Sequence, residues 1–413
     1  MTAAPAPRRI DTDCCIAGGG PAGIMLGYLL ARAGVRVVVL EKHADFLRDF
    51  RGDTVHPSTL EVIYQLGLLD SFLERPHDQA DRLAGQFGDT TVQIADFRHL
   101  PTHARFIAFM PQWEFLNFLA EEGGRFKEFT LLMQARADEL IFEDDRVAGV
   151  RASTPDGPLE IRAPVTVGAD GRQSLIRELA GLKIEDLGAP MDVLWMRLPR
   201  RPDDANIPLG RIVAGAIFVM LVRGDYFQCA YVVPKGSFET IRDKGLPAFR
   251  DSVARIVPFM ADRVDALASW DDVKLLTVAV DRLREWARPG LVCIGDAAHA
   301  MSPIGGVGIN LAIQDAVATA NILAAPLAAG RAGFADLERV QRRRETPTRF
   351  IQAIQLFLQN RMVTPTLAAT GSPPIPWPVK LINRFALLQR LPARVIGLGI
   401  RFERVRTGDV HSH

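Results

Sequence analysis

The stretch Gly18-Gly19-Gly20-Pro21-Ala22-Gly23 constrains this chain more than any other. It follows a short apolar run, Asp13 to Ala17, that reads as a buried parallel strand. It opens a segment, about Pro21 to Ala33, with the character of a helix. Pro21 suits the first helical turn, and Gly34 suits a left-handed cap. Val35 to Leu40 (VRVVVL) then reads as a second buried strand, with Glu41 at its end. Each part has a physical role. Gly18 permits the tight turn, Gly20 lets the backbone approach a diphosphate, and Gly23 lets the helix pack close to the strand. The helix N-terminus attracts the anion through its unpaired N–H groups and its dipole. Glu41, 23 residues after Gly18, can accept hydrogen bonds from both ribose hydroxyls of an adenosine. A carboxylate there favours an unphosphorylated ribose, hence FAD or NAD over NADP.

Two further strand-to-turn elements lie far downstream. Leu291 to Ile294 reads as a strand running into Gly295-Asp296-Ala297-Ala298-His299. The loop Met301 to Asn310 follows, with Gly305, Gly306 and Gly308, and then a long apolar helix. Asp296 at a sheet's carboxyl edge could hold a ribityl hydroxyl. The glycine loop delivers a second helix N-terminus near Gly308. Its partial positive charge suits an isoalloxazine ring, negative around N1–C2=O when reduced. Between these, Thr166 to Arg177 (TVGADGRQSLIR) is again a strand, a glycine turn and a helix. No second GxGxxG occurs, so a nicotinamide has no Rossmann site of its own.

This combination resembles the flavoprotein aromatic hydroxylases, the FAD-dependent monooxygenases typified by para-hydroxybenzoate hydroxylase. The resemblance covers about residues 10–340 and rests on GGGPAG with Glu41, GADGRQSLIR and GDAAHAMSPIGGVGINLAIQDA in the family's order. It implies that Gly18, Gly20, Gly23 and Glu41 hold the ADP half of FAD. By the same resemblance Asp170 serves FAD and NAD(P)H handling, Asp296 contacts the ribityl chain, and Pro303, Gly306, Gly308 and Asn310 border the flavin ring. Arg51, in FRGDTVHPSTLEV, falls where the family places an arginine between FAD and the active site, and Gln112, in MPQWEFLNFL, where it sets Gln or Arg against the cofactor. Val307 stands where glutamine is frequent in the family and Ala312 where glycine is; neither removes a backbone N–H. The implied reaction uses NAD(P)H to reduce FAD and O2 to form a flavin C4a-hydroperoxide, whose distal oxygen passes to an electron-rich ring. Water must be excluded from such a site. Pro303 would shape the oxygen site. Tyr226, Tyr231 and His56 are the candidates for deprotonating a phenol, with packing as the alternative for each. NADH and NADPH both stay open.

The implied architecture is α/β (α+β): a Rossmann-like FAD-binding domain, an inserted antiparallel-sheet substrate domain and a C-terminal helical segment. The expected partition is 1–78, 106–182 and 278–350 for FAD, 79–105 and 183–277 for substrate, and 351–413 for the C-terminal segment. Val193 to Leu198, Gly215 to Val222 and Tyr226 to Val233 read as strands, with residues 223–226 as a hairpin turn. About Phe238 to Met260 reads as a helix. Ser58-Thr59-Leu60-Glu61 reads as a capping box. The Trp195, Met196, Phe218, Met220 and Phe227 side chains suit either a hydrophobic substrate or an ordinary core.

Composition limits the remaining classes. With 49 basic and 48 acidic residues, the net charge of +1 gives no support for nucleic-acid binding. The four cysteines, Cys14, Cys15, Cys229 and Cys293, read as free thiols of a reducing compartment. His99 and His103 have i,i+4 spacing without a third ligand, so no metal is expected. The first ten residues lack the apolar core of a leader, and no segment reaches the ~18 apolar residues of a membrane span. A cytoplasmic enzyme is therefore expected. Residues 373–378 (PPIPWP) read as a breaker. Residues 379–406 carry seven basic residues and one acid among apolar ones; they read as a helix packed on the FAD domain or as a weak peripheral membrane contact. The implied partners are O2 and an aromatic or quinone-like small molecule. The five isolated tryptophans argue against a tryptophan-type halogenase. A quinone-ring hydroxylase, a prenyl-chain reductase and a non-enzymatic FAD-binding module stay as alternatives.

Overall fold

The computed structural model describes residues 8–47, 54–204, 209–371 and 375–411. Arg51, the first seven residues and the Pro373-Pro374 pair lie outside them. The runs Cys14–Ala17 and Val37–Leu40 carry only apolar side chains, all buried, as strands covered on both faces require. They sit in a six-stranded sheet ordered Ala287–Arg288, Leu291–Cys293, Val165–Gly168, Cys14–Ala17, Val37–Leu40, Phe129–Leu132. Its last five strands are mutually parallel. The register sets Ala17 beside Leu40 and Gly168, and Gly168 beside Cys293. Three turns distant in sequence therefore leave one carboxyl edge side by side. Cys14 and Cys15 enter the cores on opposite faces of this sheet, as alternation demands. All four cysteines are buried and unpaired, and burial pushes the Cys15 thiol up to about 12.

The helix Pro21–Arg32 follows the first strand and packs against Gly308–Ala328. That second helix is, against the sequence expectation, long and apolar enough to cross a membrane, but most of it is buried in the protein core.

A seven-stranded sheet stands apart from the parallel one. Its order is Lys274–Leu276, Met191–Pro199, Tyr226–Pro234, Ala216–Arg223, Leu209–Val213, Arg82–Phe87, Thr90–Asp96. The hairpin at 223–226 closes with Arg223 opposite Tyr226 and Gly224 in the left-handed region. One face buries Met196, Phe218, Met220 and Cys229 against Phe249, Val253 and Ile256. The other face carries Val193, Trp195, Val219, Ala230 and Val232, and Ile304 of the glycine loop packs on it together with Val363 and Leu367.

Local structure departs from the sequence reading in two places. The helix expected over 238–260 is split into Phe238–Asp243 and Leu246–Ile256, because Gly245 turns left-handed and Pro247 begins a new first turn. The capping box at Ser58 does not form: His56 is the N-cap of Pro57–Gln65, with no side-chain cap, and the Glu61 carboxylate instead accepts from the His103 backbone N–H at 3.0 Å. The C-terminal segment has short helices Trp377–Arg384 and Arg390–Leu398. An extended strap then runs back over the parallel-sheet domain, with the Arg406 N–H on Asn321 and Asp409 beside Arg32.

Candidate cofactor and substrate site

The edge where the three turns meet is built from close backbone contacts. A Cβ on Gly18 would overlap the carbonyl of Ala169, and one on Gly23 would overlap the carbonyl oxygen of Gly18. Only glycine lets the turns at Gly18 and Ala169 and the helix approach so closely. At Gly20 and Gly308, by contrast, an added methyl meets nothing within 4 Å. The two helix N-termini thus face open space, where unpaired N–H groups can receive a diphosphate and the polar edge of a ring.

Glu41 is 8% exposed at the end of its strand. Its oxygens accept from the Gly19 N–H at 3.1 Å and the His43 N–H at 3.0 Å, which fixes the carboxylate at the turn. Asp296, 31% exposed at its side chain, faces Arg172 at 3.4 Å. Arg172 is a site residue the sequence reading missed, although it stands inside the quoted GADGRQ motif. Asp170 accepts from the Ser174 hydroxyl at 2.5 Å and the Ile176 N–H at 3.1 Å. Its carboxyl group thus ties down the N-terminus of Leu175–Leu179. Burial pushes its pKa up, against those two hydrogen bonds. Gln112 is the first residue of the helix Gln112–Gly123 and is half-buried.

The loop 302–310 is held from several sides. Gly306 has φ of 63°, and a Cβ there would strike the Thr54 hydroxyl, which donates to the Gly306 carbonyl at 3.0 Å. Asn310 Oδ1 accepts from the His56 N–H at 2.9 Å and the Thr59 hydroxyl at 2.7 Å. Pro303 caps the short turn Ile304–Gly306. His56 is fully buried. Its Nδ1 lies 2.7 Å from the Ile396 carbonyl and so must donate to it. Nε2 then carries a lone pair without a partner, close to Gly306. Burial drives the imidazole pKa down to about 4, only partly opposed by the Ile396 bond. The ring is neutral near pH 7 and too weak a base to be a good proton acceptor.

Behind the loop lies a second missed feature. Asp315, fully buried, accepts from the Gly295 N–H at 3.0 Å, pairs with His299 at 2.6 Å and with Arg344 at 2.8 Å. Arg344 in turn reaches Glu403 of the strap at 3.5 Å. Burial alone raises the Asp315 carboxyl, but the His299 and Arg344 charges and hydrogen bonds outweigh it and hold it below its usual range. His299 braces the loop through this carboxylate. Sequence gave no hint of the partners, which come from two separate helices and the strap.

The two tyrosines stand apart from the glycine loop. Tyr231 lies on the sheet face away from the glycine loop, against Phe249, with its phenol at Ser252. Tyr226 shares a face with Ala230 and Val232, but stands six residues before Val232, on the order of 20 Å along the strand. Its ring lies beneath the Arg197 guanidinium. Among the described residues, no ring contact joins either tyrosine to the loop that Ile304 belongs to. His103 pairs with Glu61 and stacks on Tyr64, while His99 lies 3.9 Å from Asp96.

A protein-family model described as an FAD binding domain matches residues 11–353. The chain is 33% identical over 370 residues to 6-methylpretetramide 4-monooxygenase of Streptomyces rimosus, covering 89% of this chain and 88% of that protein. It is 28% identical over 315 residues to dialkyldecalin synthase of Streptomyces rugosporus, covering 73% of this chain but only 63% of that longer protein. The solved structure of p-nitrophenol 4-monooxygenase PnpA from Pseudomonas putida DLL-E4 superposes with a TM-score of 0.74 at 21% identity, over 94% of this chain and 96% of that one. At that identity it shows the shared fold.

Proposed function

The chain belongs to the FAD-binding-domain family and is an FAD-dependent aromatic monooxygenase; from that premise we propose that it hydroxylates a ring carbon of a polycyclic phenol of the tetracyclic polyketide kind. The observation that carries this reading is the identity with 6-methylpretetramide 4-monooxygenase across nearly the full length of both chains. An apolar sheet face beside the glycine loop fits a flat, hydrophobic substrate.

The residues present fit FAD. Gly18, Gly20 and Gly23 would hold the diphosphate, Glu41 the ribose and Asp296, steadied by Arg172, the ribityl chain. Asp170 acts by fixing its own turn. Gly306, Gly308 and Asn310 would border the ring, with Gln112 and Arg51 as further contacts. When bound, FAD reduced by NAD(P)H supplies the activation of O2 for oxygen insertion. The chain's own work is to position and to exclude. The helix N-terminus at Gly308 favours negative charge that develops in front of it. Pro303 keeps its loop rigid, and His56, neutral, braces that loop rather than removing a proton. In this reading 1–78, 106–182 and 278–350 serve the cofactor, and 79–105 and 183–277 cover the substrate.

The test is NADH and NADPH oxidation with and without 6-methylpretetramide and related polyphenols, followed with O2 uptake and product mass. Stimulated oxidation with one O2 consumed per hydroxylated product is expected. Stimulation that yields only peroxide contradicts the substrate class. Cyclisation of a polyene without any nicotinamide would favour the synthase reading that the second relative suggests.

Two finer points belong to the same reading. The helix Trp377–Arg384 has no buried residue. Trp377 is 75% exposed, and Leu381, Phe385, Leu387 and Leu391 are exposed beside Lys380, Arg384, Arg390 and Arg394. Apolar side chains among cations that have no ion pair among the described residues suit an anionic membrane surface. Sedimentation with vesicles containing phosphatidylglycerol, but not with neutral ones, is the expected result, and equal recovery with both contradicts it. The free, buried cysteines suit the reducing cytoplasm.

A further inference from the structure

Among the described residues, the seven-stranded sheet buries uncharged hydrogen-bond donors at Gln228 and Trp195 that have no partner. Gln228 is 4% exposed, and its Nε2 has no partner. Its Oε1 faces the Arg223 guanidinium at 3.5 Å. That contact turns the carbonyl end towards the cation and leaves the NH2 end unused. The half-buried Trp195 likewise has its Nε1 out of solvent and without a partner. An indole N–H can only donate. A buried unmade donor is costly, and native proteins keep few of them without a reason.

The register shows where these donors stand. Trp195 is directly opposite Ala230, and Gln228 is directly opposite Arg197 and Leu221. Gln228 and Ala230 are two apart on one strand, so both share a face with Trp195. Ala230 is flanked by Trp195 on one side and Val219 on the other. A small residue between two large ones makes a low point in the sheet face. Ile304 of the glycine loop packs into the same cluster as Ala230, Trp195 and Val219. The donors therefore border the floor that lies under the loop already assigned to the flavin.

We propose that Gln228 and Trp195 are the specificity-determining donors of the substrate site, binding a carbonyl, quinone or phenolate oxygen of a flat aromatic ligand laid over Ala230. The inference rests on the hydroxylase reading above. It adds the chemical requirement that the ligand carry an acceptor oxygen on an otherwise apolar body. Two donors fixed on adjacent strands set the ligand's rotation in its own plane. They thereby select which ring carbon is presented for hydroxylation.

The test uses the FAD-loaded full chain and two probes, 9,10-anthraquinone, which carries carbonyl acceptors, and anthracene, a hydrocarbon of the same shape that carries none. Binding is read as the perturbation of flavin absorbance. Gln228→Leu and Trp195→Phe are each expected to weaken the quinone about tenfold or more, as loss of a buried hydrogen bond should. The hydrocarbon probe should bind all three proteins alike. Equal loss of both probes would assign the two residues to packing and overturn the proposal. So would unchanged quinone binding in both variants, or a wild-type protein that binds the two probes equally. Binding is read without turnover. Failure of the hydroxylase reading would appear separately, as no oxygenated product from a protein that still discriminates the probes.

Discussion

Along the carboxyl edge of the parallel sheet, Glu41, Asp170, Asn310 and Asp315 all have hydrogen-bond partners within the chain. On the facing side of the seven-stranded sheet, Gln228 and Trp195 hold N–H groups that lack one. The first region has its carboxylates and its turns fixed before any ligand arrives, with the helix N-terminal amides left open to it. Its acids spend their oxygens on backbone amides, and glycines bring the pieces into contact. The second is left polar and incomplete in an apolar surround. A constant cofactor permits a preorganised cradle, whereas a particular substrate is recognised by groups it alone satisfies.

The largest break of this contrast comes from the cradle. Gly23→Ala sets a methyl against the Gly18 carbonyl, and backbone cannot move aside as a side chain can. We expect a loss above ~4 kcal/mol, seen as failure to recover folded protein. A variant with wild-type melting would refute the close approach of helix and strand. Asp296→Ala acts on the ligand alone. Its side chain is partly exposed, so the fold should persist while most of the FAD is lost on purification, measured as the ratio of flavin to protein absorbance. A fully yellow variant would misplace that carboxylate.

The two regions were unequally legible in the sequence, for a physical reason. The cradle depends on local rules: a glycine turn, a proline in the first helical turn, an acid at a strand's end. Alignment of the three turns then follows from parallel register. The sheet face depends on parity. Tyr226 and Tyr231 are five apart, so they had to point to opposite faces, but nothing local says which face meets the loop. Trp195 and Gln228 were settled only by pairing between strands more than thirty residues apart. The capping box failed for a similar reason, since His103, distant in sequence, claims the Glu61 carboxylate.

His56 sharpens the comparison through pH. Its folded pKa of about 4 lies below the ordinary 6.5, so the folded state resists a proton that the unfolded chain accepts. Stability is intact above pH 6.5 and declines as pH falls towards 4, by roughly 3 kcal/mol. Asp315, held below 3.8, contributes a loss only at still lower pH. Urea unfolding at pH 7 and pH 4.5 should show a smaller drop for His56→Asn than for the parent. An identical drop would remove His56 as the cause.

Smaller effects separate the two faces of the sheet. Gln228→Leu removes an unsatisfied buried donor but also the oxygen that faces the Arg223 guanidinium, so the two effects offset and thermal melting should shift by about 1 kcal/mol or less, even as the quinone probe weakens. A loss well above that would mean that the amide carries structure rather than recognition. Tyr231→Phe should cost about 1 kcal/mol or less, through the lost Ser252 contact. It should leave turnover within about twofold of the parent. A large fall in kcat would return the phenol to the chemistry.

A crystal structure of the FAD complex bears most directly on the central claim. The diphosphate should rest on the amides at Gly20 and the first turn of Pro21–Arg32, with the ribityl chain at Asp296 and the ring between Gly308 and the sheet face floored by Ala230. Density for the flavin anywhere else, or a ring turned away from that face, would contradict it.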